Sequence, residues 1–118
     1  MRRNEPVTGK ERDFPAQYHL ITTTDLKDKI TAANDEFAEV AGFSVDELIG
    51  QPHNMIRHPD MPPEAFANLW HTIRGGESWR GIVKNRCKNG DHYWVDAYVT
   101  PIMKNGELVE FQSVRSRP

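Results

Sequence analysis

Thirteen consecutive residues, Gly50 to Pro62 (GQPHNMIRHPDMP), constrain this chain more than any other stretch, because three prolines stand among two histidines, an arginine and an aspartate. Each proline disfavours helical backbone for the residue before it. Gln51, His58 and Met61 are therefore predicted to be extended or turning, and only His53 to Arg57 has room for a helical turn. A helix would scatter Arg57, His58 and Asp60 around its circumference, whereas a stiff, kinked loop can aim two or three of them into one pocket. Proline rigidity also reduces the entropy lost when a ligand docks. The stretch reads as a binding loop.

The elements on either side of that loop define the fold class. Residues 1–17 are polar, carry Pro6 and Pro15, and read as an arm that does not join the core. The domain then starts at residue 18 and runs to residue 118. Tyr18 to Thr24 (YHLITTT) and Lys29 to Ala32 are short strand-like runs joined by the turn residues DLKD, which makes a hairpin. At Asn34 the period becomes helical, with Phe37, Val40 and Ala41 closed by Gly42. Ser44 and Glu47 form a capping box that opens a second short helix ending at Gly50. Beyond the loop, PPEAFANLWHTIRGG has prolines at its start, glycines at its end and Phe66, Leu69, Trp70 and Ile73 at helical spacing. From Ser78 onward the pattern alternates as strands do, turned at Asn89-Gly90 and again at Asn105-Gly106. In the middle run, His92, Trp94, Asp96, Tyr98 and Thr100 share one face, and Tyr93, Val95, Ala97 and Val99 share the other. Two strands, a cluster of short helices and a three-stranded meander predict an α+β domain: a five-stranded antiparallel sheet with helices packed on one face.

Length and charge narrow the function. A chain of 118 residues can bury roughly 65% of its unfolded surface, enough for one core and one internal pocket. With 15 basic and 17 acidic side chains and neither sign in blocks, nothing favours nucleic acid or an anionic membrane as partner. The single cysteine, Cys87, excludes an intramolecular disulfide and fits a reducing, cytoplasmic setting. No apolar run approaches the roughly 20 residues of a membrane span, and no hydrophobic stretch follows the basic start.

The stretch NDEFAEVAGFSVDELIGQ and the later hairpin NRCKNGDHYWV resemble the PAS family of sensor domains over about residues 19 to 117. With GQPHNMIRHPDMP they look more particularly like the flavin-binding PAS domain of bacterial aerotaxis receptors. That resemblance implies non-covalent FAD, a report of the cell's redox state to chemotaxis, and no enzymatic turnover. It maps Arg57, His58 and Asp60 onto loop positions needed for FAD, and Asn34, His53, Trp79 and Asn85 onto pocket positions. It implies a cytoplasmic sensory domain within a membrane-anchored receptor, with other regions of that receptor and a second copy of the domain as partners. Tyr93, Val95 and Val99 are the expected contact face if they lie outside. The residue types suit a flavin: Ile56, Phe66, Trp70, Trp79 and Ile82 can form an apolar slot, Asn34 and Asn85 can meet the ring's mixed edge, and Arg57 or Lys84 can meet the pyrophosphate.

Other readings stand beside these. Asn34 can be only an N-cap, Trp79 only a core residue, and His58 with Asp60 an ordinary pair that holds the loop. Asn85 is less easily explained so, since a mid-strand amide on the face of Val83 and Cys87 needs a partner. A haem-binding or other small-ligand PAS sensor is the functional alternative, with His71 or His53 as axial ligand. Adduct photochemistry lacks a cysteine in the loop. A metal hydrolase built on His53, His58, Asp60 and His92 lacks a spacing that would present them to one ion.

Overall fold

A computed structural model describes residues 7–118. Its nine elements follow the predicted order: β1 (Leu20–Thr24), β2 (Ile30–Ala33), α1 (Asp35–Ala41), α2 (Val45–Leu48), a 3-10 turn (His53–Ile56), α3 (Pro63–Arg74), β3 (Trp79–Arg86), β4 (His92–Lys104) and β5 (Glu107–Ser116). The strands form one antiparallel sheet in the order β2-β1-β5-β4-β3, so β1 and β5 lie at its centre although they come from opposite ends of the chain.

Local chemistry accounts for the joints. The β1–β2 turn is held by Asp25, whose Oδ1 accepts from the amides of Lys27 and Lys29. Both members of the Ser44–Glu47 capping box are present. At the β4–β5 turn Asn105 and Gly106 both take positive φ, 52° and 79°, the backbone that an Asn-Gly pair tolerates and most residues do not.

The core lies between the sheet and the helical crossover. A larger cluster gathers Leu20, Ile30, Phe37, Val40, Ala41, Leu48, Ile56, Tyr93 and Val95; a smaller one, Ile73, Val99 and Phe111, lies under α3. On β4 the predicted alternation holds: Tyr93, Val95, Ala97 and Val99 are buried, while Trp94 and Tyr98 are exposed on the outer face beside Ile82 of β3. Tyr93, Val95 and Val99 are thus not an outward contact face, and Ile82 does not line an inner slot. The helices cover the more apolar face of β4, and the bulkier Trp94 and Tyr98 are left on the outer one.

The N-terminal stretch also departs from expectation. Residues 1–6 of the expected arm lie outside the described residues. The rest is tied down: the Thr8 amide donates to the Gly90 carbonyl, the Arg12 amide to the His92 carbonyl and the His92 amide to the Lys10 carbonyl, and Phe14 is buried against Tyr93 with ring centroids 6.4 Å apart. Polarity concealed this because one residue, Phe14, supplies the apolar anchor. No described helix is long and apolar enough to cross a membrane.

Candidate functional site

The helix α3 shows where the site is. Its four large apolar residues, Phe66, Leu69, Trp70 and Ile73, share one face, yet only Ile73 is fully buried. All four line a cleft of about 640 Å³, its open mouth included, whose opposite wall is the sheet: Val83 and Asn85 of β3, Ala97 and Val99 of β4, Phe111, Ser113 and Arg115 of β5. His53, Ile56 and Arg57 close one side, with Thr24 and Asp28 at the β1–β2 end.

The proline-rich loop divides its side chains between two directions. Arg57 follows the 3-10 turn in extended backbone (φ −71°, ψ 127°), and successive residues of extended chain point to opposite sides. Arg57 lines the cleft, its guanidinium 3.7 Å from the centroid of the Phe66 ring, and a backbone bridge joins it to Asn85. His58 faces away and is buried against His92, with ring centroids 5.9 Å apart. Its Nδ1 accepts from the Asp60 amide at 3.1 Å, and the exposed Asp60 carboxylate pairs with Lys84 of β3 at 2.8 Å. The expectation that this loop aims Arg57, His58 and Asp60 into one pocket therefore holds for Arg57 alone. His58 and Asp60 fasten the loop to the sheet, and Lys84, the other candidate cation, is engaged there.

The remaining predicted residues divide as sharply. Asn34 caps α1: its Oδ1 accepts from the amides of Phe37 and Ile21, and its Nδ2 donates to the His19 carbonyl at 2.7 Å, away from the cleft. Trp79 donates its indole N–H to Asn68 at 2.9 Å and folds across Gly81, where a Cβ would come within 2.5 Å of the ring. It braces β3 against α3 outside the cleft. Asn85 lines the cleft, is 4% exposed, and its Nδ2 meets no acceptor among the described residues. It is near enough to the Tyr93 hydroxyl to affect that group, but the two do not meet in hydrogen-bond geometry.

His53 reaches the cleft from the start of the 3-10 turn. Its Nε2 lies 2.6 Å from Arg115 and 3.1 Å from the Thr22 hydroxyl, and its ring stacks on Phe37. Burial, then the Arg115 and Arg57 charges, hold it neutral well below its ordinary pKa, so Nε2 accepts from Arg115. Asp28 at the mouth is pushed up to about 6 by burial, partly countered by Arg57. Residue-by-residue reading missed Asp28, Ser113 and Arg115. The signal for the last two was phase: Phe111, Ser113 and Arg115 alternate onto the buried face of β5, and a buried serine and arginine there are anomalous.

Two histidines and the cysteine bear on the alternatives. His71 is exposed on α3 and does not line the cleft. His53 lines it with Nε2 already committed. Cys87 is buried away from the cleft, donates to the Val40 carbonyl, and is pushed up to about 11 by burial.

Comparison with known proteins agrees with this architecture. The chain is 56% identical over 111 residues to the aerotaxis receptor of Escherichia coli (strain K12), a match covering 94% of this chain and 22% of that protein. It is 30% identical over 96 residues to the nitrogen fixation regulatory protein of Klebsiella pneumoniae, covering 80% and 19%. The chain therefore spans about a fifth of the length of these relatives. Among solved structures, a PAS domain from Colwellia psychrerythraea superposes with a TM-score of 0.77 at 24% identity, over 85% of this chain and 86% of that one. A light-oxygen-voltage domain superposes at 0.79 and 18% identity, over 85% and 77%. With the PAS fold family also matching residues 30–115, this chain belongs to that family.

Proposed function

We propose that this chain is a redox-sensing PAS domain that holds FAD without a covalent bond and signals by changing conformation, without substrate turnover. The observation that carries the reading is Asn85: a buried amide with an unanswered N–H on the wall of a cleft whose other wall is the partly buried apolar face of α3. A flat ring with apolar faces and a polar edge answers both at once. The names of the relatives support the same class, since one is an aerotaxis receptor and light-oxygen-voltage domains are among the structural neighbours.

A bound flavin would supply reversible uptake of electrons and a proton. The chain's residues do the rest. Phe66, Leu69, Trp70 and Ile73 exclude water from the ring. Arg57 at the mouth offers charge-assisted bonds to a pyrophosphate. His58, Asp60 and Lys84 hold the loop so that Arg57 is presented in place. Asn85 can present either its oxygen or its NH2 to a ring edge, and its backbone bridge to Arg57 connects such a rotation to the loop. The partner surface is the outer face of the sheet, where Ile82, Trp94 and Tyr98 are exposed, and other regions of a larger receptor are its occupants.

The test is to purify the chain, record its absorption spectrum, and identify by chromatography what denaturation releases. FAD at one per chain is the expected result. Arg57→Ala should weaken FAD roughly ten- to a hundredfold, about 1.5 to 3 kcal/mol. A haem spectrum, or a colourless protein that cannot be reconstituted with flavin, overturns the reading.

A further inference from the structure

Arg115 is a buried cation without a buried anion. It stands near the end of β5, 3% exposed, on the wall of the cleft. One guanidinium nitrogen donates to the Leu20 carbonyl at 3.3 Å; the other donates to the Thr22 hydroxyl at 3.1 Å and to His53 Nε2 at 2.6 Å. The Phe37 ring lies 5.1 Å from the guanidinium carbon. Every one of these partners is neutral, and among the described residues no ion pair joins Arg115 to a carboxylate. Asp28, the carboxylate lining the cleft, faces Arg57 instead. Tyr93, the other ionisable group acting on Arg115, is kept protonated by burial.

Withdrawing a charge from water against neutral dipoles alone is costly, and replacing buried charged groups by apolar ones is often neutral or stabilising. Arg115 is therefore poorly explained as a stabilising group. Its place on the cleft wall, with Thr22 and His53 fixing its geometry, is explained if negative charge enters the cleft.

We propose that Arg115, positioned by Thr22 and His53, reads the charge of the bound ring and holds the reduced, anionic flavin more tightly than the oxidised, neutral one. This rests on the flavin reading above. Uptake of two electrons and one proton by the neutral ring leaves one negative charge; in the test the electrons come from dithionite and the proton from solvent. A group that binds the reduced form more tightly raises the midpoint potential by the ratio of the two affinities.

The experiment measures that potential for FAD-loaded wild type, Arg115→Gln and Arg115→Lys, together with FAD affinity in both redox states and the denaturant midpoint of the flavin-free proteins. Arg115→Gln should weaken the reduced form at least tenfold more than the oxidised form, which lowers the potential by about 30 mV or more. Arg115→Lys should fall between the two, and the flavin-free Gln variant should be as stable as wild type or more so. Equal weakening of both forms, with a less stable flavin-free protein, would make Arg115 a structural residue and overturn the proposal while leaving the flavin reading intact. A wild type that takes up no flavin overturns both.

If Arg115→Gln does not fold, Arg115→Lys carries the comparison, and the wild type can still refute the proposal. Between about pH 7 and 9, above the range in which Asp28 titrates, an anionic reduced ring gives about 30 mV per pH unit, one proton per two electrons. A slope of about 59 mV means a neutral reduced ring and refutes the proposal.

Discussion

At the start of α1, Asn34 gives its whole amide to the protein, two backbone N–H groups bonding to its oxygen and its NH2 bonding to His19. On β3, Asn85 is more deeply buried and its NH2 meets no acceptor. Both were candidates for the edge of a ligand, and sequence position distinguished them poorly. The two amides show where to look for a ligand in a small domain. A polar group whose partners are all backbone belongs to the fold, and one that is buried, unanswered and on a cleft wall belongs to whatever fills the cleft.

Asn34 is the residue whose loss should cost the fold most. Asn34→Ala removes an N-cap and leaves the Ile21 amide and the His19 carbonyl to find other partners, which should cost about 2 to 4 kcal/mol of stability. At a temperature where the variant is folded, its FAD affinity should match wild type. Denaturant unfolding with a flavin titration checks both. A variant of normal stability that has lost FAD would place Asn34 with the ligand and undo the contrast.

Asp28 represents an intermediate case, a carboxyl at the cleft mouth that burial raises to about 6 against the facing Arg57 charge. The folded state therefore binds this proton more tightly than the unfolded chain. Its contribution is complete below about pH 4 and is lost as pH rises through about 6. Asp28→Asn should become more stable relative to wild type across that window, by about 1 to 2 kcal/mol after allowing for the group's partial exposure, and the difference should then stay level. Stability differences measured without ligand at pH 4 and pH 7.5 test this; a constant difference would mean that Asp28 is solvated.

Asn85→Leu sharpens the contrast from the other side. Removing an unanswered buried amide should leave the ligand-free protein within about 1 kcal/mol of wild type or slightly more stable, while FAD affinity falls about tenfold, about 1.4 kcal/mol. Stability without ligand and affinity should thus move independently here, unlike at Asn34. If ligand-free Asn85→Leu unfolds, the amide has a structural partner after all.

The fold was legible because its signals are local. Capping residues, Asn-Gly turns and a helix bounded by prolines and glycines each report on a few neighbouring residues, and together they gave the element order and the faces of β4. The site was legible only in part, since it is assembled from β1, β3, β4, β5, α3 and the loop, across separations no local pattern spans. Arg57 and Asn85 could be picked out because one lies in a stiff loop and the other is a poor strand residue. His58 and Asp60 share that loop but point the other way, a consequence of extended backbone at Arg57 that proline positions alone do not specify. Phe14 was missed for a related reason: its partner Tyr93 is 79 residues away, by the numbering, and nothing nearby announces the contact.

The smallest effect expected is at His71, and it tests the third way a polar group can be satisfied, by water. His71 lies on α3 one position after Trp70, but the helix turns it out of the face formed by Phe66, Leu69, Trp70 and Ile73, and it is exposed. Its backbone carbonyl accepts from the Gly75 amide, a bond that any residue keeps. Alanine is the better helix former, while a histidine near a helix C-terminus gains a little from the dipole when charged, so the two tendencies nearly cancel. His71→Ala should therefore shift stability by less than about 0.5 kcal/mol and leave the spectrum and stoichiometry of the bound cofactor unchanged. The measurement separates cofactor classes as well as residues. Loss of an absorption band on this substitution would mean that His71 ligates a metal-centred ring, which requires α3 to rotate and withdraw its apolar face from the cleft. An unchanged spectrum would keep that face toward the ring and leave Asn85, Arg57 and Arg115 as the polar groups that meet it.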